Sequence, residues 1–234
     1  MNSFTFRGIS SEELGLYVGS VTVDNAPKRR VESVEVPGRN GTLTIDGHSY
    51  ENIQISYTCY IKENYDEAIM VARSFYLESG GYFRLEDTFN PDEYRMARCV
   101  NGIEVTPSQT RAQGYFTLVF DATPQRFLTS GEGTTTFGAS GTINNPTLSI
   151  AKPLIQIYGT GTVGIGSVNI TFDGSSEYVE LDCELQDAYY NGANKNSAIT
   201  LSPNEFPVLN PGSNGVTLGA GITRVIITPR WWRL

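Results

Sequence analysis

Five carboxylates lie close together in the second half of the chain: Glu177, Glu180, Asp182, Glu184 and Asp187. A correctly spaced pair of carboxylic acids can hydrolyse a glycosidic bond, and clustered carboxylate oxygens can bind calcium. Between residues 178 and 185, however, polar and apolar residues alternate, which is typical of a strand with one buried face. This alternation predicts that Glu180, Asp182 and Glu184 face solvent. The apolar face comprises Val179, Leu181, Cys183 and Leu185. We therefore favour a solvated strand face over a calcium site or a glycosidase that uses Glu180 and Glu184.

Residues 159–164 read GTGTVG and fit the glycine spacing of a dinucleotide-binding loop. Such a loop holds the pyrophosphate at the N-terminus of the helix that follows it. Here residues 165–170 continue with the pattern of a strand, so the helix that the motif needs is missing. We therefore interpret the glycines as a hairpin turn.

The other reactive side chains form no recognisable catalytic or metal-binding pattern. His48 is the only histidine, and no serine or cysteine stands in a nucleophile motif that could use it. Cys59, Cys99 and Cys183 lack metal-ligand spacing and indicate reduced thiols made in a cytosol. The sequence predicts no enzymatic activity, no cofactor and no metal.

Two adjacent tryptophans near the C-terminus, Trp231 and Trp232, stand between Arg230 and Arg233. Aromatic rings beside arginines can form a platform for a sugar or a docking surface. The same residues can also form a last strand that fills the core of a sandwich, and we favour this interpretation. A carbohydrate-binding module that uses Trp231 and Trp232 is the alternative function.

The composition is that of a folded, acidic chain rich in strand and turn residues. Of its 234 residues, 39% are hydrophobic, 18% are charged and 24 are glycine. The net charge of −8 disfavours binding to DNA or to an anionic membrane, because such binding depends on Lys and Arg. The sequence shows neither a signal-peptide pattern nor the ~18 consecutive apolar residues of a membrane span. We expect no membrane association and no secretion.

Hydrophobic periodicity predicts a mostly β protein with one helix. The clearest strand is residues 50–62, where every second residue from Ile53 to Ile61 is apolar. The helix is predicted over residues 65–79, with Asn64 as its N-cap and glycines 80 and 81 as its end. Further strands are predicted at residues 3–7, 18–24, 31–36, 82–86, 94–100, 114–121, 154–158, 168–172, 178–185, 199–201, 215–218 and 224–228.

The pattern changes once along the chain, after residue 127. Residues 128–145 are rich in Gly, Thr, Ser and Asn and are interpreted as a linker. The segment 146–234 is nearly helix-free, with short strands separated by turn residues, as in a β-sandwich. The predicted domains are therefore 1–127 and 146–234.

Arginine is unusually frequent in the first domain, which has ten Arg and two Lys in residues 1–127. Arginine is favoured in protein–protein interfaces because its planar guanidinium pairs in bidentate fashion and stacks on rings. Codon bias or ordinary surface charge explains the excess equally well. On the interface interpretation, Arg29, Arg39, Arg84 and Arg98 are candidate contacts between subunits.

Several segments, in this order, resemble phage distal tail proteins. In the first domain these are residues 3–18 (SFTFRGISSEELGLYV), 27–47 (PKRRVESVEVPGRNGTLTIDG) and 65–100 (YDEAIMVARSFYLESGGYFRLEDTFNPDEYRMARCV). In the second domain they are residues 145–161 (NPTLSIAKPLIQIYGTG), 177–196 (EYVELDCELQDAYYNGANKN) and 206–234 (FPVLNPGSNGVTLGAGITRVIITPRWWRL). The resemblance extends over nearly the whole chain.

The resemblance implies a structural role at the tip of a long, non-contractile phage tail. It implies a tail-tube-like β-sandwich with one helix, which forms a homo-hexameric ring, followed by a galectin-like β-sandwich. The ring joins the tail tube protein to the tail-tip hub protein, in some members binds a receptor-binding protein, and surrounds a channel through which DNA passes without specific binding. Such a protein is assembled in the host bacterial cytoplasm and ends in the virion tail tip. The short second domain leaves no room for the long arm or the carbohydrate-binding insertion that some members carry, which disfavours direct binding of a receptor or a sugar. Recognition of a host-surface glycan is kept as the alternative function.

Overall fold

A computed structural model describes residues 2–21, 26–78, 80–104, 106–107 and 113–234. The chain forms two compact units, one of Met1–Arg126 with Leu234 and one of Phe127–Arg233. Each unit has its own cluster of buried hydrophobic residues. In the described ranges, no helix is long and apolar enough to cross a membrane.

The first unit contains one long helix and a large antiparallel sheet. Its strands are β1 (Phe4–Phe6), β2 (Ile9–Ser10), β3 (Leu16–Val21), β4 (Arg29–Glu35), β5 (Thr42–Tyr50), β6 (Ile53–Ile61), β7 (Phe83–Asp87), β8 (Glu93–Cys99), β9 (Thr106–Pro107) and β10 (Gly114–Ala122). Helix α1 is Tyr65–Leu77, and a short 3-10 helix is Glu12–Leu14. The main sheet has the order β2-β1-β7-β8-β10-β6-β3, and β9 pairs with β10. Strands β4 and β5 form a separate two-stranded sheet.

Periodicity explains the core of this unit. Alternate residues of β6 are buried, from Ile53 to Ile61, as the sequence predicts. Helix α1 buries its apolar stripe in the same core: Tyr65, Ala68, Ile69, Ala72 and Tyr76. Rings dominate the centre, where Phe4 stacks on Tyr57 at 4.6 Å between ring centres.

The predicted N-cap of helix α1 is not observed, and two predicted segment ends lie outside the described residues. Asn64 has a left-handed backbone (φ 51°) and its side chain makes no capping hydrogen bond. A capping side chain needs an extended backbone, so Asn64 contributes only its carbonyl, which accepts from the Ala68 amide at 2.9 Å. The predicted helix residue Ser79 and the end of the predicted strand 18–24 lie outside the described residues.

The second unit is a sandwich of two antiparallel sheets. Its strands are β11 (Arg126–Leu128), β12 (Thr135–Phe137), β13 (Gly141–Asn145), β14 (Leu154–Gly159), β15 (Gly161–Ile165), β16 (Val168–Phe172), β17 (Tyr178–Asp182), β18 (Asp187–Tyr190), β19 (Ala193–Asn194), β20 (Ile199–Ser202), β21 (Gly212–Leu218), β22 (Ile222–Thr228) and β23 (Trp232–Arg233). Short 3-10 helices are Thr129–Glu132 and Asn196–Ala198. One sheet has the order β12-β22-β14-β17-β18-β19 and the other β13-β21-β15-β16-β20, while β23 pairs with β11.

The predicted linker, residues 128–145, is wrong. It contains β12, which pairs with β22, and β13, which pairs with β21. Phe137 and Ile143 belong to the buried core of the second unit. The glycines and threonines suggested a linker, but backbone pairing and the burial of Phe137 and Ile143 make these short strands part of the sandwich.

The hairpin-turn interpretation of residues 159–164 is also wrong. Strand β14 ends at Gly159 in one sheet and β15 begins at Gly161 in the other. Gly159 and Gly161 have φ values of +98° and +141°, and a Cβ on either would lie within 2.4 Å of a carbonyl oxygen at residue 221 or 220. The glycines are therefore needed for a tight crossing between two sheets.

Candidate assembly surface

Strands β4 and β5 form an arm, residues 29–50, with two chemically different faces. Cross-strand partners share a face, and the register pairs Glu32 with Ile45 and Val34 with Leu43. We call these four residues the arm face. The opposite face is mostly polar: Ser33 pairs with Thr44, Glu35 with Thr42, and the exposed Val31 with Asp46.

The arm face is open to solvent. Ile45 is 50% exposed and Leu43 41%, so both large aliphatic side chains of β5 are in contact with solvent. A two-stranded hairpin is at best marginally stable in water, and an apolar face without a partner is typical of an interaction site. The arm therefore has the chemistry of an element that is completed by another surface.

Arg29, at the base of the arm, is already engaged. Its Nε donates to Asp46 Oδ1 at 3.0 Å, and its Nη2 donates to Asp46 Oδ2. This bidentate hydrogen bonding lowers the pKa of Asp46 to about 2. The guanidinium also lies 5.8 Å from the ring centre of Tyr50. Arg29 thus fixes the arm's base.

Arg39, by contrast, lies in the exposed turn between β4 and β5. Among the described residues it has no ion pair or hydrogen bond from its side chain. The turn around it lines a shallow surface depression together with Glu35, Val36 and Pro37. Of the four predicted interface arginines, Arg39 is the one whose guanidinium is available to another molecule.

Arg84 and Arg98 lie on neighbouring strands of the main sheet and have partners within the unit. Arg84 Nε donates to Glu86 Oε1 at 2.7 Å, and its guanidinium lies 3.8 Å from the ring centre of Tyr94. Arg98 Nε donates to Asp121 Oδ2 at 3.2 Å. The structure does not bring the four arginines into one cluster.

Helix α1 has a second, outward apolar stripe that the sequence analysis missed. Met70 is 65% exposed and Leu77 45%, and the exposed Arg73 lies between them on the same side of the helix. In the described part of the chain, Arg73 has no ion pair. The spacing i, i+3, i+7 of these residues was visible in the sequence, but the buried stripe of the same helix dominated the pattern.

The carboxylate cluster does not form the uniform solvated face that alternation predicts. Strand β17 ends at Asp182, which is buried, and Leu185 is 72% exposed in the turn that follows. Arg230 donates from Nη1 and Nη2 to the two Asp182 oxygens, each at 2.8 Å, and lowers the pKa of Asp182. Glu184 is exposed and lies 3.3 Å from Lys152. Asp182 is therefore a structural ion-pair partner. Glu180 instead accepts a hydrogen bond from Gln156 Nε2, and Glu184 is paired with Lys152.

The tryptophan pair does not form a flat platform. Trp231 is 6% exposed and belongs to the core of the second unit, which agrees with a strand that fills the sandwich. Trp232 is partly buried, and its Nε1 donates to the Ile150 carbonyl at 2.9 Å. One ring is thus buried and the other is fixed against the backbone.

Three tyrosines form a row on the six-stranded sheet. Tyr158 stacks on Tyr178 at 5.0 Å, and Tyr190 packs edge-on against Tyr178 at 4.9 Å. Arg224 lies 3.8 Å from the ring centre of Tyr158. The faces of the two stacked tyrosines are therefore used by their neighbours, and the row stabilises pairing between strands.

Catalytic chemistry finds no support in the described residues. No group of three or more His, Cys, Asp or Glu in that part of the chain could hold a metal ion. Burial raises the pKa of the Cys59 and Cys183 thiols to about 12, and a thiol with so high a pKa is a poor nucleophile. His48 is an exposed residue within strand β5, with φ 48°, and its Nδ1 lies 3.7 Å from Asp46 Oδ2.

Periodicity in the sequence also did not predict a group of charged side chains at the edge of the buried core of the first unit. Arg95 is paired across the strands with buried Leu85, so it lies on the inward face of β8. Burial and the charge of Arg126 lower the pKa of Arg95 to about 10. Asp87 accepts from the Tyr57 hydroxyl at 2.8 Å and Glu93 lies 3.8 Å from Arg126. Sequence alternation alone gave no sign that these charges line a cavity of about 30 Å³.

Comparison with known proteins adds a likeness of fold. No protein-family model matches the chain, and no curated protein matches it in sequence. Among solved structures, the chain is similar to the SPP1 Dit protein (gp 19.1), described as a paradigm of the hub adsorption apparatus in phages that infect Gram-positive bacteria. The identity is 12%, both chains are covered completely and the TM-score is 0.71.

A second solved structure is the phage p2 baseplate in its activated conformation with strontium. Here the identity is 10%, 97% of each chain is covered and the TM-score is 0.53. The match to SPP1 Dit spans both units, so the chain has the fold of a phage distal tail protein. The resemblance and the mostly β fold predicted from the sequence are confirmed at the level of fold.

Proposed function

We propose that this chain is a structural protein of a phage tail tip, where copies form a homo-hexameric ring between the tail tube and the tail-tip hub protein. The observation that carries the proposal is the fold likeness to SPP1 Dit over the full length of both chains. The ring surrounds a channel for DNA and, in the virion, serves attachment to the host. A receptor-binding protein is a further partner proposed for the same ring.

The first unit supplies the features that such a ring needs. A closed ring requires head-to-tail contacts, in which one surface of a subunit meets a different surface of the next. The arm offers an exposed apolar face, and Arg39 at its tip offers an available cation. Arg29, Arg84 and Arg98 would each have to leave an internal partner to bind a neighbour.

Imaging tests the proposal directly. Negative-stain electron microscopy of the purified protein over a range of concentrations should show six-fold rings with a central hole. If the protein forms rings only with the hub protein, adding that protein should produce them. Monomers under both conditions would contradict the ring.

Arg39 provides a variant test. The variant Arg39→Glu should raise the concentration needed for half-maximal ring formation several-fold, since a solvent-exposed ionic contact contributes about 0.2–1 kcal/mol and recurs at every interface. Circular dichroism should show an intact fold, because the Arg39 side chain has no ion pair or hydrogen bond in the described part of the chain. Lys195→Glu in the second unit is the matched control. Equal ring formation by the two variants would show that Arg39 does not contribute to the contact between subunits.

The alternative function, recognition of a host-surface glycan, gains no support from the residues first assigned to it. Trp231 is a core residue, and Trp232 is held by the Ile150 carbonyl. The ring faces of Tyr158 and Tyr178 are occupied by their neighbours. The assembly role is therefore the function that the geometry supports best.

A further inference from the structure

We propose that the arm face of one copy packs on the outward stripe of helix α1 in a second copy, with Glu32 paired to Arg73. The inference rests on the proposed self-assembly and specifies the two surfaces that meet. It assigns a partner to the exposed apolar side chains of the arm and to those of the helix.

Both surfaces are apolar patches with one charge inside them. On the arm, Glu32 is surrounded by Ile45 directly across the ladder and by Val34 two residues along the strand. On the helix, Arg73 lies between Met70 and Leu77. In the described part of the chain, neither Glu32 nor Arg73 has an ion-pair partner. The charges are opposite, so each surface supplies the counter-charge that the other lacks.

The spacings of the two surfaces are compatible. Residues two apart on a strand are separated by about 6.8 Å, and cross-strand neighbours by about 5 Å. On a helix, Arg73 is displaced by about 4.5 Å along the axis from Met70 and by about 6 Å from Leu77. The charge is thus about one side-chain width from its apolar neighbours on both surfaces, which lets the ion pair and the apolar contacts form together.

The contact must be between copies. Ile45, Leu43, Met70 and Leu77 all remain between 41% and 65% exposed in the single chain. The arm face and the helix stripe are also different surfaces, so the contact can repeat head-to-tail from copy to copy, as the proposed ring requires. A second copy is therefore an occupant that fits both the chemistry and the proposed symmetry.

A charge exchange tests the pairing. We expect Glu32→Arg and Arg73→Glu each to raise the concentration for half-maximal ring formation about tenfold, since like charges then face each other in a partly desolvated contact. The double variant, with both substitutions, should return to within about threefold of the wild type, which is the signature of direct coupling. Ring formation is measured by light scattering after size-exclusion chromatography and by negative-stain imaging.

The opposite face of the same strands supplies matched controls. Ser33→Arg places an arginine next to Glu32 in sequence but on the opposite face of the arm, and should leave ring formation near the wild-type level. Similarly, Ile45→Asp should disrupt rings while Thr44→Asp should not. All four side chains are exposed, so circular dichroism should show the same fold in each variant.

The outcomes separate this contact from the ring itself. If the wild type forms rings but the single charge reversals do so equally well, or the double variant fails to recover, the arm–helix contact is wrong and the tail-tip role stands. If the wild type forms no rings alone or with the hub protein, both the contact and the ring are wrong.

Discussion

The role of an arginine in this chain depends on which groups lie within reach of its guanidinium. Arg29 and Arg98 each bind an aspartate, and Arg84 binds a glutamate and a tyrosine ring. Arg39 and Arg73 have no ion pair in the described part of the chain. An arginine count therefore predicts an interface only after the internally paired residues have been subtracted.

The Asp182–Arg230 pair is the clearest residue-scale determinant of stability in the second unit. We expect Asp182→Asn to lower the free energy of unfolding by about 2 kcal/mol, less than for a fully buried pair because Arg230 is one-third exposed. The midpoint temperature of thermal unfolding should fall by roughly 10 °C for a unit of this size. The amide oxygen of Asn can still accept from the Glu184 and Leu185 amides, so the loss reports the ion pair.

The pH dependence of that pair has a definite sign. Arg230 lowers the pKa of Asp182 in the folded state, so the pair contributes fully above the ordinary Asp pKa of about 4. The stabilisation by the pair is lost as the pH drops through the lowered pKa of Asp182 in the folded state. Denaturant unfolding between about pH 2 and pH 6 should therefore be less pH-dependent in Asp182→Asn than in the wild type. Glu184→Gln, which alters an exposed pair, is the control, and equal pH profiles for both variants would contradict this assignment.

At the scale of elements, the crossing from β14 to β15 depends on glycine. In the variant Gly161→Ala, the added Cβ would lie 2.4 Å from the Ala220 carbonyl oxygen, on a backbone with φ +141°. Because the obstacle is backbone, we expect a loss of about 3 kcal/mol in the unfolding free energy. Thermal unfolding monitored by tryptophan fluorescence measures this, since both tryptophans lie in the second unit.

A glycine in the same sheet serves as the control for that substitution. At Gly215 in β21, an added Cβ meets nothing within 4 Å. Gly215→Ala should therefore change the unfolding free energy by less than about 1 kcal/mol. Similar losses in Gly161→Ala and Gly215→Ala would show that the crossing is less tight than the structure indicates.

At the scale of the whole molecule, charge sets the expected behaviour toward DNA. The chain carries a net charge of −8, and non-specific DNA binding derives from Lys and Arg that neutralise phosphates. Rings of this protein should therefore not retard double-stranded DNA in a gel-shift assay at physiological salt, at protein concentrations up to about 10 μM, near the range of ordinary non-specific binding. Retardation that disappears at high salt would contradict a channel through which DNA passes without being held.

The sequence by itself determined the features that depend on local periodicity. The alternation in β6 and the apolar stripe of α1 are properties of consecutive residues, and both elements form where predicted. The mostly β fold and the resemblance to distal tail proteins follow from the same local patterns taken in order. The helix start at Tyr65 was correct even though Asn64 does not cap it.

Only the tertiary structure decided which polar groups are free and which are paired. Asp182 meets an arginine 48 residues away, and Arg98 meets an aspartate 23 residues away, so no local window contains both partners. The strands within residues 128–145 and the crossing at Gly159–Gly161 likewise depend on neighbours that are distant in sequence. The exposed arm face shows the same limit. Alternation predicts a strand with an apolar face, but only the full set of strand partners shows that this face is left uncovered.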